Sequence, residues 1–379
     1  MRLFKDLNID FMSKRSTFYF VSATILLLGL LTIFIKGVTF GIDFRGGSEI
    51  ALQFDKPVDI SKVRVEIDKI GLGNVEVKTF GGSTGILLRT ELQEVPKNVF
   101  PIVRAHVEKL MGNIYPGLQK KVKDSTSSSI TYSLPDPQTV EVLNNRLFQA
   151  GVKSSKESEE ATNTGLIVGL SIADWIKTTL SEKFTDNSFN VLKEDKVGPK
   201  VGKELKRDAV FAVLLSLIVI LIYLAFRFKF TFAFGAVIAL FHDVLITLGI
   251  FVVLYGVIPG FNLEISVSVV AAFLTLVGYS INDTVIVFDR VREQMKIHKM
   301  LSVEENMNHA INKTMSRTII TVFTVLLTII VLLIFGGEVL RGFAFALLIG
   351  MITGTYSSVF IASAFVLEYA NRAHKKIEF

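Results

Sequence analysis

The sequence predicts an α-helical polytopic membrane protein with six spans and an α/β extracytoplasmic domain between the first two. Three observations lead there. Half of the residues are hydrophobic, only 20% are charged, and the mean hydropathy is +0.50, too apolar for an ordinary soluble chain of 379 residues. Six charge-poor stretches are long enough, at about 1.5 Å per residue, to cross about 30 Å of hydrocarbon. A polar segment from Lys36 to Asp208 separates the first stretch from the second and is patterned like a folded domain. The spans run from Ser16 to Ile35, Ala209 to Phe226, Thr231 to Val257, Ile265 to Phe288, Thr318 to Phe335 and Gly342 to Leu367.

Lysine and arginine in the short flanks set the orientation. Arg2, Lys5, Lys14 and Arg15 precede the first span, and Arg227 and Lys229 join the second to the third. Arg290, Arg292, Lys296, Lys299, Lys313 and Arg317 lie between the fourth and fifth, and Arg372, Lys375 and Lys376 follow the sixth. The opposite short loops hold Arg341 alone. The expected order is therefore a cytoplasmic arm (1–15), the first span (16–35), an outer domain (36–208), a bundle of five spans (209–367) and a cytoplasmic tail (368–379). The net charge of +6 records this orientation; without a basic patch interleaved with aromatics it implies no nucleic acid. Lys36-Gly37-Val38 offers no small-x-small cleavage site, so the first span reads as an uncleaved anchor. The absence of cysteine excludes disulfides, thiolate chemistry and cysteine-ligated metals.

In the outer domain, "SEIALQF" alternates like a strand and "DISKVRVEIDKIG" has helical spacing. "VEVKTF" and "TGILLRT" are strands around Gly81-Gly82, and "PKNVFPIVRAHVEKLMG" is a second helix, giving a ferredoxin-like β-α-β-β-α order. After a linker at "KDSTSSS" the order partly repeats: "ITYSL", "DPQTVEVLNNRLFQAG", "NTGLIVGLS" and "ADWIKTTLSEKF" match the first strand, first helix, third strand and second helix. Two related units, 43–122 and 127–198, are expected; the alternative is one domain with an insertion between Pro116 and Asn190. "KSSKESEE" reads as an exposed loop, and "FNVLKEDKVG" as the lead into the membrane.

Motifs for enzymatic chemistry fail. "GPKVGKE" imitates a phosphate-binding loop but has Glu204 where a serine or threonine would hold magnesium, and no HExxH, nucleophile elbow or calcium loop occurs. The five histidines lack ligand spacing. The chain is read as a non-enzyme with no metal and no cofactor.

Polar residues within the spans remain. A carboxylate at the centre of a transmembrane helix costs about 2.5–3.5 kcal/mol on insertion scales, so such groups face a bundle interior and serve a purpose. Asp243 sits near the middle of the third span. Asp283 precedes Asp289 by six residues, about 9 Å inside the cytoplasmic end of the fourth. Both are candidates for reversible protonation, since burial and a neighbouring cation pull a carboxyl in opposite directions; Arg317, opening the fifth span, is the candidate cation. Asn282 either bonds a neighbouring helix or orients Asp283, and His242 is either an interhelical bond or a relay. Gly350 and Gly354 form a small-xxx-small packing pair; Gly46, Gly47 and Gly278 are further candidate packing or conformational positions.

Five stretches in order, "GIDFRGGSEI", "VGPKVGKEL", "ALFHDVLITLG", "VGYSINDTVIVFDRVRE" and "NKTMSRTIITVFT", resemble the SecF family, the smaller membrane subunits of the SecDF protein-export complex. The resemblance covers the membrane part and the start of the outer domain; the segment from Ser127 to Leu192 departs from it. It implies half of a resistance-nodulation-division transporter completed by SecD. It implies assistance to unfolded preproteins at the SecYEG channel by the proton motive force, association with YidC, and residence in the lipid bilayer of a bacterial inner membrane. It also implies proton conduction by the aspartate of the NDT motif and the arginine of the SRT motif, here Asp283 and Arg317. A passive scaffold for the translocon, with charges that only hold helices together, is the alternative, separated by an Asp283→Asn change.

Overall fold

The computed structural model describes residues 7–149, 152–160, 162–258 and 261–373. It divides into two compact units: the first comprises residues up to Phe44 together with those from Lys203, and the second is Arg45–Gly202. In chain order, helix α1 (Arg15–Lys36) and the single turn α2 (Ile42–Arg45) lead to β1 (Gly47–Phe54), α3 (Ile60–Lys69), β2 (Val75–Thr79), β3 (Gly85–Thr90) and α4 (Phe100–Ile114). Then come β4 (Lys121–Ser125), β5 (Ser129–Ser133), α5 (Pro137–Gln149), β6 (Ser154–Lys156), β7 (Gly165–Gly169), α6 (Ile172–Lys183) and β8 (Phe189–Val197). The chain closes with α7 (Pro199–Arg227), α8 (Phe230–Leu254), α9 (Val267–Ile297), α10 (Val303–Phe335), α11 (Gly337–Ser357), a π-helical stretch (Ser358–Ser363) and α12 (Ala364–Ala373).

The second unit holds two four-stranded antiparallel sheets, ordered β2-β3-β1-β8 and β4-β5-β7-β6. The first is a ferredoxin-like β-α-β-β-α-β whose last strand, β8, arrives only after the whole second sheet has intervened. The second repeats the same lateral order, but its outer strand β4 precedes β5 in the chain instead of following. Leu52 and Leu88 of the first sheet and Ile130, Tyr132 and Val168 of the second lie in one continuous apolar core. On the other face of β1, where alternation places Glu49, its buried carboxylate is bonded by Arg89 and Lys193. Burial of the Lys193 ammonium is outweighed by Asp195 and Glu49, so its proton is held above the ordinary lysine range.

Three segments differ from the sequence reading. "KDSTSSS" carries part of β4, "KSSKESEE" carries β6, and "FNVLKEDKVG" forms β8, which pairs with β1 from Gly47↔Val197 to Phe54↔Phe189 rather than merely leading to the membrane. All three strands lie at sheet edges, where few positions are buried and hydrophobic alternation is faint: β4 is exposed throughout. Gly46 and Gly47 take φ of +80° and +115° at the start of β1; a side chain on Gly46 would lie 2.9 Å from Pro199 Cα, and one on Gly47 would overlap the Thr90 carbonyl.

Among the described residues, six helical segments are long and apolar enough to cross a membrane: Met12–Lys36, Pro199–Arg227, Phe230–Leu254, Val267–Ile297, Val303–Phe335 and Val339–Arg372. Helix α9 continues nine residues past Phe288 and α10 begins well before Thr318, so most of the basic stretch between the fourth and fifth spans is helical. Hydropathy ends a span where charge begins, but the helix persists until a cap stops it. Here Ser302 and Glu305 form a reciprocal capping box at the start of α10. Gly29 of α1 and Gly249 of α8 meet so closely that a Cβ on Gly29 would lie 2.8 Å from Gly249 Cα, an approach only small residues permit.

Candidate functional site

Asp243, on α8, is wholly buried. Ser280 of α9 and Ser357 of α11 both donate to its Oδ2, at 2.7 and 2.8 Å. Its Oδ1 lies 3.1 Å from Nδ1 of His242. The other ring nitrogen of His242 is 3.0 Å from the Ser22 hydroxyl of α1. Ser22 is in turn hydrogen-bonded to the Tyr356 hydroxyl of α11, which donates to the Phe18 carbonyl at 2.8 Å.

Asp283, on α9, is also buried. Thr318 of α10 donates to its Oδ1 at 2.6 Å and Ser358 to its Oδ2 at 3.2 Å. A cavity of about 260 Å³ opens beside it, lined among others by Phe11, Thr318, Tyr356, Ser358 and Phe360. The two carboxyls are thus served by successive residues: Ser357 reaches Asp243 and Ser358 reaches Asp283. Ser358 opens the π-helical stretch, in which Ser363 donates back to the Ser358 carbonyl at 2.8 Å; such stretches frequently mark functional positions.

Arg317 and Asn282 are both exposed; among the described residues no side-chain bond or ion pair joins either to Asp283, while the Arg317 charge still acts on that carboxyl through space. The reason is helical phase: adjacent residues point about 100° apart, so turning Thr318 and Asp283 inward turns their predecessors outward. Gly278 is exposed, and among the described residues nothing lies within 4 Å of a Cβ placed on it. Gly350 and Gly354 instead face α9: a Cβ on Gly350 would lie 2.6 Å from Leu276, and one on Gly354 2.9 Å from Ser280 Oγ and 3.5 Å from Asp243 Oδ2. Sequence reading missed Ser22, Ser280, Thr318, Tyr356, Ser357 and Ser358. Their only signal is a hydroxyl inside an apolar span, which is common enough to pass unnoticed.

Residues 176–372 match the family described as protein export membrane protein SecD/SecF, C-terminal, and residues 32–58 match the SecD/SecF GG motif. Among curated relatives, the protein translocase subunit SecF of Rhodothermus marinus is 36% identical over 98% of this chain and 97% of its own length. That of Calditerrivibrio nitroreducens is 35% identical over 95% and 94%. The crystal structure of SecDF, a translocon-associated membrane protein from Thermus thermophilus, superposes with a TM-score of 0.65 at 30% identity, covering 97% of this chain. The chain spans 39% of the length of that SecDF chain. A second SecDF structure, in a super-membrane-facing form, gives a TM-score of 0.55 at 31% identity, covering 98% of this chain and 40% of its own. With six spanning-type helices and full-length likeness to these subunits, the chain is a multi-pass inner-membrane protein, and it belongs to the SecF family of protein translocase subunits.

Proposed function

We propose that this chain works with a SecD partner beside the SecYEG channel, where reversible protonation of Asp283 and Asp243 couples the proton motive force to the outward movement of unfolded preproteins. The observation that carries the reading is the way the two carboxyls are held. Asp283 is bonded by hydroxyls and by no cation among the described residues. A hydroxyl can donate to a carboxylate or accept from a carboxylic acid, so the same pocket serves both protonation states without rebuilding. The cavity beside Asp283 supplies room for an approaching proton carrier.

A proton crossing 100 mV releases about 2.3 kcal/mol, comparable with the cost of a charge held within a span, so one proton suffices to bias helix packing. Asn282 and Arg317 are polar side chains exposed on apolar helices. Such groups in a membrane call for a protein surface to cover them, which supports a SecD partner on this side. Both termini are cytoplasmic in this reading, and the α/β unit lies outside, where it acts on emerging chains without covalent chemistry of its own.

The test is export of a model preprotein in vesicles containing SecD and this chain, with and without a proton gradient, comparing native protein with Asp283→Asn at equal assembly. Loss of gradient stimulation with intact assembly supports coupling. Full stimulation in the variant returns Asp283 to a structural role and favours the scaffold reading.

A further inference from the structure

We propose that Tyr356, Ser22 and His242 form a proton relay that links the cavity at Asp283 to Asp243, so that both buried carboxyls are loaded through one entrance. The inference rests on the proton-coupling reading above and adds the residues that carry the proton between the acids.

The relay is continuous from the cavity to Asp243. Tyr356 lines the cavity that holds Asp283. Its hydroxyl bonds Ser22, Ser22 lies 3.0 Å from His242 Nε2, and His242 Nδ1 lies 3.1 Å from Asp243 Oδ1. Three helices supply the three groups: α11, α1 and α8. Asp243 Oδ2 is already taken by the hydroxyls of Ser280 and Ser357, so Oδ1 is left to the imidazole. No charged side chain other than Asp243 makes a hydrogen bond to the relay among the described residues; the remaining contact is the Phe18 carbonyl, which accepts from Tyr356.

Counting protons gives two complete states that differ by one proton. In the unloaded state Asp243 is a carboxylate accepting from His242 Nδ1–H, Ser22 donates to Nε2, and Tyr356 donates to Ser22; each hydroxyl proton is used once. A proton arriving at the Tyr356 oxygen from the cavity lets Tyr356 pass its own proton to Ser22, and Ser22 pass its own to His242 Nε2. The added proton is then held by the His242–Asp243 pair, and every donor now points the other way: Nε2–H to Ser22, Ser22 to Tyr356, and Tyr356 to the Phe18 carbonyl. The 2.8 Å bond from Tyr356 to that carbonyl belongs to the loaded state. Each step breaks one O–H bond and forms one O–H or N–H bond, and no other reactant is needed.

The experiment follows deuterium exchange at the His242–Asp243 pair by infrared difference spectroscopy on the full chain with SecD in vesicles, comparing native protein with Ser22→Ala, Ser22→Thr and Tyr356→Phe. The expected result is exchange slowed by about tenfold or more in Ser22→Ala and Tyr356→Phe, in line with the loss of a positioned proton-transfer group. Ser22→Thr, which keeps the hydroxyl, should be close to native. Exchange at the native rate in both Ser22→Ala and Tyr356→Phe overturns the relay. So does equal slowing in Ser22→Thr and Ser22→Ala, which would mark a packing effect. Gradient-driven export by Asp283→Asn, measured in the same vesicles, is read independently. If that variant keeps full stimulation, the coupling reading fails while the relay stands or falls on exchange alone.

Discussion

Gly354 leaves just enough room for α11 to lie on α9. A methyl group there would sit 2.9 Å from both the Cβ and the Oγ of Ser280, the residue that bonds Asp243. Gly354→Val is therefore expected to destabilise the protein by about 1–3 kcal/mol through overpacking, read as a lower unfolding midpoint in detergent. Tyr132 carries a prediction of another kind. It is wholly buried in β5, its hydroxyl donates to Glu108 of α4 at 3.3 Å, and burial together with that carboxylate holds the phenol well above its ordinary range. The unfolded chain ionises first, at about pH 10, so the stability this group contributes is complete below that pH and is lost as pH rises toward the folded value. Unfolding midpoints measured from pH 8 to 11 should fall less steeply in Tyr132→Phe than in the native protein. At this scale the sequence was legible where charge interrupts hydrocarbon: Asp243 and Asp283 stand out in any hydropathy profile. Their hydroxyl partners were not, because helices that are apolar nearly all round give no phase; Asn282 and Arg317 each precede by one residue a side chain, Asp283 or Thr318, that faces the bundle.

Between elements, the stretch before α1 is fastened to α10 by two asparagines one helical turn apart. Asn308 Oδ1 accepts from the backbone N–H groups of Phe11 and Met12 at 3.0 and 3.1 Å; Asn312 accepts from Ile9 N–H at 3.0 Å and donates to the Ile9 carbonyl at 2.8 Å. The i, i+4 spacing puts both amides on one face, and Phe11, held this way, forms part of the wall of the Asp283 cavity. Replacing both by alanine removes bonds worth about 0.5–1.5 kcal/mol each, and is expected to speed tryptic cleavage after Lys14 about fivefold or more, timed by mass spectrometry on the purified protein. None of this was legible, since asparagine in a basic helical stretch reads as an ordinary solvated residue. The strands of the two sheet centres were legible because both alternate faces pack, as in the fully buried β3. Strands β4, β6 and β8 were misjudged because an edge strand owes its place to backbone bonds, which leave little trace in residue type.

For the molecule as a whole, orientation across the membrane is testable because the chain has no cysteine of its own. A membrane-impermeant maleimide added to intact spheroplasts should label Glu159→Cys, on an exposed loop of the α/β unit, and leave Lys299→Cys, on the exposed turn between α9 and α10, unlabelled until the cells are opened. The reverse pattern would invert the assignment. The six spans and their polarity were open to reading because hydropathy and the distribution of lysine and arginine are sums over many residues, which single misjudged positions do not disturb. The placement of β8 was hidden because it depends on a pairing across the whole outer unit. That pairing has a consequence in time. Gly47 finds its partner Val197 only after the entire second sheet has been synthesised, so β1 waits with one edge open while β4 to β7 emerge. Long-range pairings of this kind form slowly, and the open edge is a template for strands from other chains. A ribosome that stalls between Ser129 and Phe189 would leave a nascent outer unit unfinished on that edge. The order of the genetic message thus fixes when the domain becomes safe from its neighbours.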